Sequence, residues 1–219
     1  MNVTPDWSAK DFYENIAKHW DATRPEYTTA VIEKLACILE GAVAVLDVGC
    51  GTGLLCRRLA EKRPTATIHG IDISPEMIDQ ARVNCPTGTF EAADVAELGP
   101  ACFDAVVSKD VFNHIKDIRQ ALIRLDAHLN AGGVFVVANR DRGGGVREAI
   151  LSGLRELGYD LSEEHHDFAP TAHEIESFVG ALEGFTEPHR QAVRRWLQTP
   201  GDYYIITGHK PPQPGESEV

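Results

Sequence analysis

The chain has 219 residues, 43% of them hydrophobic, with 21 Lys and Arg against 33 Asp and Glu, a formal net charge of −12. That size and apolar content suffice for one core without a second domain, and the acidic balance argues against nucleic acid as partner, because phosphate binding relies on Lys and Arg. No apolar run reaches bilayer length and the start, Met1 to Asp6, lacks a leader's apolar segment, so neither a membrane nor export is expected.

In chain order, residues 9–20 set Phe12, Tyr13, Ile16 and Trp20 on one side of a predicted helix. A second helix over 25–40 opens with Pro25, stops before Gly41 and carries the stripe Val31, Leu35, Ile38 and Leu39. Val43 to Leu46, then Val48, do not alternate with polar residues and read as a buried parallel strand. The turn Gly49-Cys50-Gly51-Thr52-Gly53 follows, its glycines free to take positive φ and lie against a ligand. Leu54, Leu55 and Leu59 then open a helix whose N-terminal N–H groups favour an anionic group. A dinucleotide fingerprint would need a third glycine where Leu54 or Cys56 stands, and a P-loop would need Gly-Lys-Ser/Thr. Neither is present.

Ala66 to Asp72 reads as a second strand ending in a carboxylate, 19 residues after Gly53. At a neighbouring strand tip, Asp72 can accept both hydroxyls of a ribose. Ser74-Pro75 starts a helix well, with Met77 in its first turn. Thr89 to Val95 is a short third strand that also ends in an acid, Asp94. Phe103 to Ile115 gives a fourth strand and its exit, and Leu129 to Ala138 a turn into a fifth.

The glycine segment resembles the first motif of the class I S-adenosylmethionine-dependent methyltransferases, in which an acidic residue, here Asp47, precedes Gly-x-Gly-x-Gly. The segments ending in Asp72 and Asp94, the stretch Ser108-Lys109 through His114-Ile115, and Leu129 to Ala138 resemble later motifs in the right order, over roughly 40–140. The resemblance implies a Rossmann-like α/β fold: a mostly parallel seven-stranded sheet flanked by helices. It implies S-adenosylmethionine as cofactor, leaving S-adenosylhomocysteine. Cofactor contacts then fall on Asp47, Gly49, Gly51, Gly53, Asp72, Ile73, Met77, Asp94, Val95, Ser108 and Lys109, the last two through backbone. Asp94 would face the adenine amino group, with the next N–H on a ring nitrogen.

Several of these positions keep two readings. Asp47 either meets the methionine ammonium or bonds the loop backbone. Met77 either covers the adenine face or belongs to the core. The string from Tyr13 to Asp21 resembles the N-terminal cap of small-molecule members, where Tyr13 and Arg24 would close over the methionine end; the alternative is plain packing. His114, at the fourth strand's exit, is either a general base or an organiser of the loop.

Beyond the fifth strand, residues 139–170 are expected to form a lid over the acceptor, with a polar turn at Asn139 to Gly145 and a helix near 146–158. Thr171 and Glu174 form a capping box for a helix to about Leu182, and 190–197 with 202–209 read as a terminal hairpin. Residues 211–219 should be disordered. This gives one domain over 1–210, its first 40 residues a helical cap. Cys37, Cys50, Cys56, Cys85 and Cys102, odd in number and without a Cys-x-x-Cys pair, read as reduced thiols of a cytoplasmic protein. His165, His166 and Asp167 lack convincing metal-ligand spacing, and no metal is expected. The activity expected is transfer of a methyl group to an O or N nucleophile of a small organic acceptor. A protein side chain as acceptor, or a cofactor-binding relative that does not methylate, are the alternatives. Nothing in the sequence speaks to oligomeric state.

Overall fold

The computed structural model describes residues 12–14, 16–17, 20–21, 27–182, 185–198 and 202–212. Seven strands form one sheet: β1 (Ala44–Val48), β2 (Thr67–Asp72), β3 (Thr89–Ala92), β4 (Phe103–Lys109), β5 (Leu129–Arg140), β6 (Asp160–His166) and β7 (Tyr203–His209), in the order β3-β2-β1-β4-β5-β7-β6. The first five run parallel, while β7 lies antiparallel between β5 and β6. Strand order reverses at β1, whose neighbours are β2 and β4. A crevice therefore opens where their carboxyl ends part, the usual ligand position in such sheets.

Helices cover both faces. On one side α1 (Tyr27–Ile38), α2 (Leu54–Lys62) and α3 (Pro75–Asn84) bury Val31, Leu35, Leu55, Leu59, Ile78 and Ala81 against the sheet. On the other, α4 (Ile118–Ala127) and α5 (Val146–Glu156) bury Leu122, Leu125, Ile150 and Leu154. Spacings of three and four turn one stripe of each helix inward. Ser74 caps α3 by accepting the Met77 N–H at 3.2 Å, with Pro75 in the first turn. The capping box at Thr171 and Glu174 starts α6 (Ala172–Gly180), each side chain accepting the other's backbone N–H.

The structure redraws two stretches. Within 139–170, expected as a lid with a helix near 146–158, that helix is α5 on the sheet face, while the flanking residues complete β5 and supply β6 at the sheet edge and are not loop. Only 141–145 is a connection, and the apolar stripe of Val146, Ile150 and Leu154 is consumed by the core. Residues 190–197 are not a strand either but part of α7 (Glu187–Gln198), in which Ala192, Val193 and Leu197 share an inward stripe. The turn residues Thr199-Pro200-Gly201 suggested a hairpin; Arg194, between the apolar residues, pairs with Glu176 at 2.7 Å.

A third apolar cluster sits apart from the two sheet faces. Phe12, Ile16 and Ala17 pack with Met77, Ile175, Phe178, Val179, Leu182, Val193 and Leu197. The helical residues before 22 thus join α6 and α7 in one roof. Of the tail expected over 211–219, residues 213–219 lie outside the described residues.

Candidate functional site

One cavity of about 630 Å³ runs along the carboxyl ends of β1, β2 and β4 and reaches the end of β5. That volume falls within the range of about 300–1,000 Å³ typical of small-molecule sites. Its floor is the glycine turn after β1. A Cβ on Gly49, at φ +70°, would meet Val111 Cγ2 at 2.1 Å, so the turn presses directly on the segment leaving β4. A Cβ on Gly51, at φ +53°, would meet nothing within 4 Å, and Gly51 lines the cavity. Backbone there is bare toward a ligand. Gly53 does not line the cavity; it lets α2 approach Ala81 of α3, a packing role.

At the tip of β2, Asp72 accepts the Gly51 N–H through Oδ2 and the Ser74 N–H through Oδ1, each at 3.0 Å. Burial raises its pKa, and these backbone bonds oppose that. Both oxygens keep a lone pair for a further donor. Ile73 lines the cavity and is an exposed large apolar side chain. Met77 lines it too and is buried in the third cluster, so core and cavity wall are one position rather than alternatives. After β3, Asp94 caps the short turn Val95–Glu97 by accepting the Ala96 N–H at 2.8 Å, and Asp94 and Val95 border the cavity.

Asp47 is buried at the cavity floor, where its Oδ2 accepts the Cys56 thiol at 3.2 Å rather than a loop N–H. Burial pushes its pKa up to about 7; the thiol's hydrogen bond and Lys109's charge work against that rise. Ser108 is not at the cavity: its hydroxyl donates to the Val48 carbonyl and ties β4 to β1. Lys109 lines the cavity and bonds Asp110 at 2.5 Å. Burial alone would depress the ammonium's pKa, but the Asp110 carboxylate outweighs it, so the pKa is raised.

Asp110 is the one non-glycine residue with positive φ, +60°, among the described residues. Its backbone N–H donates to the Ala138 carbonyl of β5 at 2.8 Å. A non-glycine residue held in this region costs on the order of 1–3 kcal/mol and is typical of functional sites. The turn sends the chain to His114, whose Nε2 lies 3.2 Å from the Tyr13 hydroxyl, with the rings edge to face. Surrounding protein and the charge of Arg142 lower the imidazole's pKa, though Asp110 pulls the other way. Tyr13 also packs on Trp20, and Trp20 on Phe178, which closes the roof over the cavity. Arg24 lies outside the described residues.

Residues that the sequence did not single out complete the site. Asp21 accepts the Thr52 hydroxyl at 2.6 Å and the Asn84 amide at 2.9 Å, pinning the N-terminal helical residues to the glycine turn and α3. Tyr27 carries the Arg140 guanidinium 5.8 Å from its ring centroid. Arg140 and Arg142, at and just past the end of β5, both line the cavity. The run Arg140-Asp141-Arg142 falls within the polar turn expected at Asn139 to Gly145. His165 and His166 alternate across β6, and no group of three His, Cys, Asp or Glu among the described residues could hold a metal. None of the described helices is long and apolar enough to cross a membrane.

Residues 39–188 match a family model described as a methyltransferase domain. The chain is 43% identical over 101 residues to an uncharacterized methyltransferase of Mycobacterium tuberculosis, covering 44% of this chain and 50% of that protein. It is 33% identical over 163 residues to the trans-aconitate 2-methyltransferase of Rhodopseudomonas palustris, covering 73% and 59%. The chain thus spans only about half to three-fifths of these relatives. Among solved structures, the N-methyltransferase NodS of Bradyrhizobium japonicum bound to S-adenosylhomocysteine superposes with a TM-score of 0.66 at 16% identity, over 92% of this chain and 98% of that one. The [4+2]-cyclase SpnF gives 0.72 at 20% identity, over 93% and 96%. These two likenesses speak for the fold. With the family model over most of the sheet and the acidic-tipped strands around a glycine turn, the chain belongs to the class I S-adenosylmethionine-dependent methyltransferases.

Proposed function

We infer that this protein transfers a methyl group from S-adenosylmethionine to an oxygen or nitrogen nucleophile of a small organic acceptor. The observation that carries the reading is the single cavity joining the acidic tips of β2 and β3 to the polar group at Tyr13, His114 and Arg142. Gly51 leaves room for backbone contact with the cofactor's amino-acid end, Asp72 offers carboxylate oxygens to the ribose, and Ile73 and Met77 offer apolar surface to the base. When bound, the cofactor supplies an electrophilic methyl group on a sulfonium.

The protein's own part is positional. Trp20, Phe178 and Leu197 exclude water from the acceptor end, and fixing the nucleophile in line contributes on the order of 7–11 kcal/mol. Below-normal basicity keeps His114 neutral near pH 7, so Nε2 is able to take the Tyr13 hydroxyl proton while that hydroxyl takes the proton of an acceptor hydroxyl or ammonium. The relatives named for trans-aconitate support a small-molecule acceptor, and the aromatic roof suits one better than a protein side chain. The decisive assay is release of S-adenosylhomocysteine from S-adenosylmethionine with a panel of small acids, amines and phenols. Turnover with a member of that panel is expected. Tight S-adenosylhomocysteine binding without turnover on any acceptor would overturn the reading and favour a non-methylating relative.

A further inference from the structure

Several polar groups at the acceptor end of the cavity are already engaged within the protein. The Tyr13 hydroxyl bonds His114 Nε2, and the Arg140 guanidinium donates to the Phe168 and Leu197 carbonyls. Tyr27 differs. It lines the cavity from the first position of α1, and its hydroxyl bonds no protein group yet is not closed off in the interior. Its ring, by contrast, is clamped. It stacks on Phe168 with centroids 6.1 Å apart and planes at 12°, tilts against Tyr203 at 6.0 Å, and carries the Arg140 guanidinium at 5.8 Å. Phe168 is itself stacked on His166 at 4.9 Å. A ring held in place with its polar tip open to a cavity has little freedom left to lose when a ligand binds.

The Lys109 ammonium faces the same space. It gives one of its N–H groups to Asp110, and it lies near enough to the Tyr27 phenol for each to shift the other's titration. Burial raises the phenol's pKa, and the Asp110 charge adds to the rise, so the hydroxyl stays a donor at neutral pH. Two donors sharing one space call for an oxygen lone pair. Asp110 balances the lysine's charge, so that oxygen need carry none.

The oxygen is not the cofactor's carboxylate. The amino-acid end belongs at the glycine turn after β1, whereas Tyr27 packs on Tyr203 of β7, with β4 and β5 between the two strands. At about 4.8 Å per strand, β7 stands roughly 14 Å from β1.

We propose that Tyr27 binds the acceptor: its hydroxyl, with Lys109 beside it, donates to a carbonyl or hydroxyl oxygen carried in addition to the atom presented to Tyr13 and His114. The acceptor is thus bifunctional, and Tyr27 selects for the oxygen that is not methylated. This rests on the methyl-transfer reading and adds the acceptor's class.

The test uses the complex with S-adenosylhomocysteine and pairs of small compounds that differ in one oxygen: resorcinol and phenol, 4-hydroxyacetophenone and 4-ethylphenol, ethanolamine and ethylamine. Each is titrated calorimetrically into the wild-type protein and into Tyr27→Phe, which keeps the ring and its packing. In the wild-type protein at least one oxygen-bearing member should bind about tenfold tighter or more than its partner, which cannot make the bond. Tyr27→Phe should remove that preference while affinity for S-adenosylhomocysteine stays within about twofold. No preference in any wild-type pair overturns the assignment and leaves methyl transfer intact; so does a preference that survives in Tyr27→Phe. A loss of S-adenosylhomocysteine affinity in that variant, with 5′-methylthioadenosine affinity unchanged, would give Tyr27 to the cofactor's carboxylate and overturn it too. Failure of the wild-type protein to bind S-adenosylhomocysteine would instead sink the methyl-transfer reading itself.

Discussion

The Tyr13 hydroxyl and His114 Nε2, 101 positions apart in the chain, meet at 3.2 Å across the cavity mouth. One comes from the N-terminal helical residues and the other from the turn after β4, so the contact forms only when the roof is closed. Replacing Tyr13 by Phe keeps the aromatic packing on Trp20 and removes only the hydrogen bond. Turnover should fall about tenfold or more, and His114→Gln further, with S-adenosylhomocysteine affinity changed less than about threefold. Because the His114 pKa lies below its usual value, the acid limb of the rate profile should lie below pH 6.5 and disappear in His114→Gln. A limb that persists in that variant would assign it to another group.

Asp72 holds Gly51 and Ser74 through separate oxygens. Hydrogen bonds to a charged group are each worth about 1.5–3 kcal/mol. Asp72→Ala should therefore lower cofactor affinity by about a hundredfold or more in calorimetric titration. Asp72→Asn, which keeps one acceptor oxygen, should fall between. Unchanged affinity in the alanine variant would remove Asp72 from the ribose.

Asp47 supplies a pH signature. Its folded pKa of about 7 stands above the usual carboxylate value of 3.8, so the folded state binds the extra proton between those limits. Stability of the ligand-free protein should fall as pH rises from about 4 to 7, and Asp47→Asn should flatten that part of the melting curve. If Asp47 faces the cofactor's ammonium, binding near pH 7 should also release a proton. Calorimetry in buffers of different ionisation heat would show it; no proton release, with the stability trend intact, would leave Asp47 a partner of Cys56 alone.

Two glycines should respond differently to alanine. Gly49→Ala drives a Cβ into Val111, so loss of stability is expected along with a shifted His114 turn. Gly51→Ala meets no atom, and only its left-handed backbone costs it, on the order of 1–2 kcal/mol. It should fold yet lose cofactor affinity, checked by thermal melting and titration together.

The cofactor side was legible because an acid marks each strand's exit, Asp47 beside Val48 in β1, Asp72 closing β2 and Asp94 just past β3, and because three glycines fix a turn locally. Ser108, expected to contribute through backbone, and Gly53 do not border the cavity: the Ser108 hydroxyl turns to Val48 of β1 and Gly53 packs against Ala81 of α3, which motif position does not reveal. The acceptor side was opaque because it is assembled from distant pieces: Tyr27 stacks beneath Arg140, Asp21 grips Thr52, Phe178 comes from an expected helix whose place over the cavity the sequence does not show, and Leu197 from a helix read as a strand. Arg190 to Gln198 misled because it is a short stretch of paired apolar and basic residues, and only α6 against α7 decides which face is inward.

The strand between β5 and β6 has a bearing on biogenesis. Residues 203–209 are translated after both of the strands they join, so β6 has no neighbour in the sheet until they emerge. Until then β5, apolar from Val134 to Ala138, presents a bare edge of the kind that recruits other nascent chains. Lesions in this late strand should therefore be felt as aggregation during synthesis before they are felt as a weaker catalyst.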